Sequence, residues 1–177
     1  ENGILKSISF KKEDTFNFAY DVVDAMAKKS PDKLAMVHVD KEKKVRKYSF
    51  RDISRYSSKA AHYFSSLGIK KGDRVMLVLK RHYQFWFAII ALHKIGAVVI
   101  PATHLLVKHD FEYRFTAAGV SAIICTSDGD VPEQVELAQG VCEKPLVKVL
   151  VNGKRDGWGN FDEEIEKYSE EYKRDEN

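Results

Sequence analysis

Three observations predict an α/β fold for this sequence: a mostly parallel sheet with helices on both faces, plus a small N-terminal hairpin. From residue 74 onward, short apolar segments alternate with helical periodicities through brief connections, the pattern of β-α-β units. The segments Val75-Met76-Leu77-Val78-Leu79 and Ala97-Val98-Val99-Ile100 are continuously apolar, as strands covered on both faces must be. Ahead of them, two strand-like segments flank the charged turn Asp40-Lys41-Glu42-Lys43-Lys44, which predicts the hairpin.

The elements follow in order. Residues 17–29 are predicted helical, because Ala19, Val22, Val23 and Met26 share one face and Asn17 stands where an N-cap oxygen is needed. Ser30-Pro31-Asp32 ends that helix, since proline cannot continue it and restricts its predecessor. Strands are placed at 34–39 and 45–48. Ser49 then opens a long helix, with Asp52 completing the S-x-x-D form of the capping box. Its core face is Phe50, Ile53, Ser57, Ala60, Phe64 and Leu67, in alternating helical steps. Gly68 supplies the left-handed residue that closes it. A strand at 74–79 leads to a helix at 82–95 that is apolar on most sides, which predicts burial between layers. A strand at 97–100 stops at Pro101. Helices at 108–118 and 132–140 alternate with strands at 121–125 and 147–151. Residues 1–160 are read as one α/β unit. Residues 161–177 are read as a short helix and a charged tail, frayed past 168.

Composition excludes several classes. Of the 177 residues, 44% are apolar, enough to build a core and too many for intrinsic disorder. No uncharged stretch, residues 95–107 among them, exceeds 13 residues, whereas a membrane span takes about 20. No apolar leader segment stands near Glu1, and Cys125 and Cys142 fit neither a zinc spacing nor a disulfide framework, so a reducing, cytoplasmic setting is expected. The net charge of +3 hides an asymmetry: residues 41–74 hold eleven Lys or Arg against three Asp or Glu. No aromatic stacking platform accompanies them, so they are read as a solvated face and no nucleic-acid or membrane partner is expected.

Chemistry-bearing motifs are scarce. Neither G-x-G-x-x-G nor G-x-x-x-x-G-K-[ST] occurs. The nearest candidate cradle, Ser127-Asp128-Gly129-Asp130, carries carboxylates that would repel phosphate and is read as a strand-to-helix turn. The six histidines are scattered; His104 and His109 lie five apart without a carboxylate spaced to join them, so no metal ligand is assigned. No nucleophile elbow is present, and Cys125 ends an apolar strand where an inert thiol is expected.

The order of motifs is more specific than any one of them. Lys47-Tyr48-Ser49-Phe50-Arg51-Asp52-Ile53 is followed by Gly68-Ile69-Lys70-Lys71-Gly72-Asp73-Arg74-Val75. Then comes Leu92-His93-Lys94-Ile95-Gly96-Ala97-Val98-Val99-Ile100-Pro101. Over roughly residues 17–151 this resembles the start of the adenylate-forming superfamily: acyl-CoA synthetases, luciferases and peptide-synthetase adenylation domains. Phe16-Asn17-Phe18-Ala19-Tyr20-Asp21 and Ile100-Pro101-Ala102-Thr103 are most similar to acetate- and medium-chain-type acyl-CoA synthetases.

The resemblance implies a reaction in which a carboxylate attacks ATP, giving an acyl-adenylate and pyrophosphate, after which the thiol of CoA displaces AMP. It implies ATP, CoA and Mg for the parent enzyme and none bound to this chain. The family's phosphate loop would follow a region like 147–168, so the chain is read as an inactive fragment and no catalytic residue is transferred. The loop Ala102-Thr103-His104 is placed near the pantetheine and acyl channel. Acetate-activating relatives carry arginines after a strand like 121–125, where this sequence has Asp128 to Glu133, so a medium-chain or aryl acid is favoured over acetate. Trp86 is read as packing. A fragment should also expose an apolar docking surface, involving part of the 82–95 helix, and self-associate. The competing expectation is a stand-alone α/β binding or scaffold module that uses the basic 41–74 stretch.

Overall fold

The computed structural model describes residues 14–174. A hairpin of β1 (Leu34–Val39) and β2 (Val45–Ser49) stands apart from a five-stranded parallel sheet. That sheet contains β3 (Arg74–Val78), β4 (Val98–Pro101), β5 (Ala122–Thr126), β6 (Val147–Val151) and β7 (Gly159–Asn160), in the order β4-β3-β5-β6-β7. Parallel neighbours need long crossovers. They are supplied by α3 (Gln84–Ile95), α4 (Lys108–Ala118) and α5 (Val131–Ala138).

The alternation of side chains along the strands divides the core in two. Val75 and Leu77 of β3, Ile124 of β5 and Val149 and Val151 of β6 face α3 and the long helix α2 (Phe50–Ser66), together with Phe161 and Ile165. Met76, Val78, Ile123, Cys125 and Leu150 point the other way, onto Phe111 and Phe115 of α4 and Val131 and Val135 of α5. Burial on both faces is why these strands are written without polar alternation. Strand β4 is the edge, which is where Pro101 is tolerated because its missing N–H faces no partner strand.

Helix α2 shows how the local sequence sets an element. The side chain of Ser49 accepts from the Asp52 backbone N–H (3.2 Å), and the Asp52 carboxylate accepts in return from the Ser49 N–H (2.8 Å). Such a cap is worth about 1 kcal/mol. Ile53, Ser57, Ala60 and Phe64 are buried along the expected stripe. Gly68 follows with φ +86°, a conformation that only glycine adopts without strain.

Three expectations change in detail. Residues 17–29 do form a helix, but Ala19–Asp24 is π-helical and only Ala25–Lys29, α1, is regular. Asn17 still does cap work: its side-chain oxygen accepts from the Ala19 N–H (3.0 Å). The last helix is a single turn, α6 (Phe161–Glu164), continued as a 3-10 turn to Lys167 and preceded by the two-residue strand β7. Residues 168–174 have no regular structure but are held rather than frayed. They run back along α2, where Glu170 bonds Arg55, Tyr172 meets Ser65 (3.0 Å) and Tyr168 meets Ser66 (2.7 Å).

Candidate functional site

In an open parallel sheet, ligands bind at the carboxyl ends of strands where neighbouring loops part to opposite faces. That condition is met at β3. Its outgoing loop climbs to α3 on one face, while the loops after its neighbours β4 and β5 lead to α4 and α5 on the other. A cleft of about 820 Å³ opens there. Its walls are the 79–84 loop, Thr103 and His104 after β4, Asp128 after β5 and Asn152 after β6, and the hairpin residues 38–42 close one side.

A polar network ties these loops together. The Asn152 side-chain N–H₂ donates to Nδ1 of His82 (3.0 Å), so the imidazole proton sits on Nε2 and is donated to Oγ1 of Thr126 (2.7 Å). The same Oγ1 accepts from the Asp128 backbone N–H (3.0 Å). Gln84 donates both amide protons, to Asn152 (2.7 Å) and to Asp162 (2.8 Å), and Asp162 also accepts from the Asn152 N–H (2.7 Å). Burial disfavours the imidazolium and pushes the His82 pKa below its ordinary value, despite Asp128 3.8 Å away. His82 is therefore a neutral, oriented imidazole at neutral pH. The buried Gln84 Oε1 has no hydrogen-bond partner among the described residues.

Backbone geometry at Asn152-Gly153 brings the β6 loop against β5. Asn152 sits at φ +61°, a left-handed value that asparagine tolerates. A Cβ at Gly153 would stand 2.6 Å from the Ser127 Cβ, so only glycine lets the loops meet. Ser127 Oγ then donates to the Asn152 carbonyl (2.7 Å).

Of the three residues singled out from the sequence, two reach the cleft. Thr103 and His104 line it, and Thr103 Oγ1 accepts from the Leu105 N–H (3.3 Å). Ala102 instead extends the strand, its N–H donating to the Leu77 carbonyl (3.0 Å) and its methyl packing on the second core. Cys125 is fully buried, and burial raises its thiol pKa far above the usual value. Trp86, expected to pack, is half exposed. Among the described residues, no three His, Cys, Asp or Glu side chains converge as a metal group.

Much of the basic 41–74 stretch is already engaged. Arg55 and Lys59 meet Glu170 and Glu166, Arg46 meets Asp40 (2.8 Å), and Arg51 lies 3.2 Å from Asp32. The acidic tail thus neutralises the basic face of α2 from within the chain.

Sequence reasoning did not find the network. Its members come from three loops and from the ends of β5, α3 and α6, and pairing across such distant segments has no linear signature. One signal was available: the Asn152-Gly153 dipeptide, a turn-former at the end of an apolar strand.

Residues 23–176 match the family model described as AMP-binding enzyme. The chain belongs to that family. It is 35% identical over 164 residues to the mitochondrial acyl-coenzyme A synthetase ACSM5 of Rattus norvegicus, covering 89% of this chain and 28% of the relative. It is 34% identical over 155 residues to human mitochondrial ACSM3, covering 84% and 26%. Among solved structures, an acyl-CoA synthetase of Brucella canis superposes with a TM-score of 0.77 at 19% identity, covering 90% of this chain and 29% of that one. The anthranilate CoA ligase AuaEII in complex with anthranoyl-AMP gives 0.74, at 19% identity and 90% and 30% coverage. These two likenesses show the fold; the chain spans less than a third of each of these four proteins.

Two consequences follow for this member of the AMP-binding family. The cytoplasmic setting expected from its cysteines is overturned, because the relatives are mitochondrial proteins by name. Free cysteines report a reducing environment, which a mitochondrial interior also supplies, so that signal could not separate the two. The second concerns the nucleotide. The described residues hold no glycine-rich phosphate loop and no group of three metal-ligating side chains, and the Asp128 carboxylate in the cleft is paired with Lys80 (3.7 Å). No step is assigned to these residues through ATP or Mg.

Proposed function

We propose that this chain is the opening α/β part of an AMP-forming acyl-CoA synthetase, which converts a carboxylate, ATP and CoA into acyl-CoA, AMP and pyrophosphate. Membership of the AMP-binding family carries the proposal, and the names of the relatives supply the thioester chemistry. ATP, CoA and Mg are cofactors of the whole enzyme. The chain alone is inactive, because the cradle for the phosphates lies in residues it does not contain. Its contribution is the carboxyl end of the sheet, where Thr103 and His104 border the path of the acyl group and pantetheine. The setting is mitochondrial, as for the named relatives.

The substrate is a medium-chain or aryl acid rather than acetate. The turn after β5 carries Asp128 and Asp130 and no arginine, and one structural neighbour holds an aryl adenylate. The test is thioester formation by the longer enzyme that contains this chain, with acetate, octanoate and benzoate at equal concentration. Octanoate or benzoate should give a kcat/KM at least about tenfold above acetate, the selectivity of a well-formed apolar pocket. Preference for acetate would defeat the substrate assignment, and absence of any thioester would defeat the reaction.

A further inference from the structure

The outer face of the hairpin is apolar and uncovered. On β1, Met36 packs on the core and His38 lies edge-on to Tyr83, so Val37 and Val39 alternate outward. Across the ladder Val37 faces Lys47 and Val39 faces Val45. Val37, Val39 and Val45 are all exposed, as is Trp86, at 51%. Trp86 and Val37 flank a groove of about 360 Å³ between β1 and the start of α3, with Lys80 and Arg81 on the same walls.

Cations surround this patch. Lys43 and Lys44 lie in the hairpin turn and Lys47 beside the valines, and none of them, nor Arg81, has an ion-pair partner among the described residues. The neighbouring carboxylates are occupied: Asp40 with Arg46 (2.8 Å), Glu42 with Lys41 (3.7 Å) and Asp128 with Lys80 (3.7 Å).

We infer that this face binds an anionic lipid surface, lying on it rather than entering it. Aliphatic side chains and an amphipathic indole suit the boundary between headgroups and acyl chains, and unpaired lysines gain from anionic headgroups. Charge decides between occupants. A second copy on the same patch would set lysine against lysine. A nucleic acid would satisfy the lysines and leave the valines without hydrocarbon. No helix among the described residues is long and apolar enough to cross a membrane, so the contact is peripheral. The inference stands apart from the proposed reaction and departs from the expectation of no membrane partner, which rested on reading the basic residues as a solvated face.

The test is co-sedimentation of the 177-residue chain with phosphatidylcholine vesicles, pure or carrying about 30% phosphatidylglycerol. Binding should require the anionic lipid and vanish at about 0.5 M salt. Lys43→Glu with Lys44→Glu, and separately Trp86→Ala, should each weaken it about fivefold or more with unchanged thermal melting, since all three sites are exposed. Equal binding to pure phosphatidylcholine, no binding at all, or indifference to both variants would overturn the inference. So would a dimer that shields Trp86 from a quencher, or duplex DNA binding that matches the vesicles and ignores Trp86→Ala.

Discussion

Glu136 shows how one residue ties the loop after β6 to α5. It sits on α5 and receives two hydrogen bonds from Arg155 (2.8 and 2.7 Å) and one from the Trp158 indole (2.8 Å). The Arg155 hydrogen bond, followed by that from Trp158, lowers its pKa to about 2. Because the folded state binds the proton more weakly than the unfolded chain, this carboxylate stabilises the fold above about pH 4.5. That contribution is lost as pH falls from there toward 2. Urea midpoints measured between pH 6 and pH 3 should therefore decline less steeply for Glu136→Gln than for the parent, whereas parallel slopes would show that the cluster is not linked to folding. His82 obeys the same sign in a different window: its neutral form is favoured by burial, so its share is full above its ordinary pKa and declines as acid protonates it. Neither partnership could be read from the sequence, since Glu136 and Arg155 sit on different elements and Thr126 and Asn152 meet His82 only after three strands align.

Among the elements, legibility followed the range of the forces. The α2 helix announced itself because its cap, stripe and closing glycine all act within one or two turns. The π-helical Ala19–Asp24 did not, because nothing in its composition distinguishes it from an α-helix; its packing is tertiary. At its end Asp24 accepts from Lys94 of α3 (2.9 Å) and from Ser54 of α2 (2.7 Å), and Lys94 also bonds Ser58 (2.9 Å). Three helices thus converge on one ammonium that is almost wholly buried. Burial lowers the Lys94 pKa, yet Asp24 and Ser58 keep the charge compensated. Removing one partner of such a pair costs roughly 3–5 kcal/mol, while replacing both with apolar groups can be close to neutral. Lys94→Ala should lower the unfolding free energy by about that much in urea titration. Lys94→Met with Asp24→Leu should recover most of it. A Lys94→Ala loss under about 1 kcal/mol would mean the ammonium already finds water. The tail beyond α6 was misread for a related reason: its glutamates look solvated in sequence, but α2 presents Arg55 and Lys59 where they can reach.

For the whole molecule, the parallel sheet with helices on both faces was legible because apolar runs and short connections leave few other arrangements. The cleft at the carboxyl ends of the strands was half legible: His104 and Thr103 border it, but the oriented His82, the Gln84 oxygen without a partner among the described residues and the tight Gly153 approach emerge only in three dimensions. The family could be recognised in sequence because the motifs over residues 47–101 keep their order and spacing. As proposed above, the chain would build the wall of an adenylating site, with the phosphate-gripping residues elsewhere in the enzyme. Carboxylate-dependent exchange of radiolabelled pyrophosphate into ATP is the measurement that bears on it most directly, made on the 177-residue chain and on the longer enzyme side by side. Exchange by the longer enzyme and none by the chain is the predicted result. Exchange sustained by the chain alone, or none by either, would contradict it.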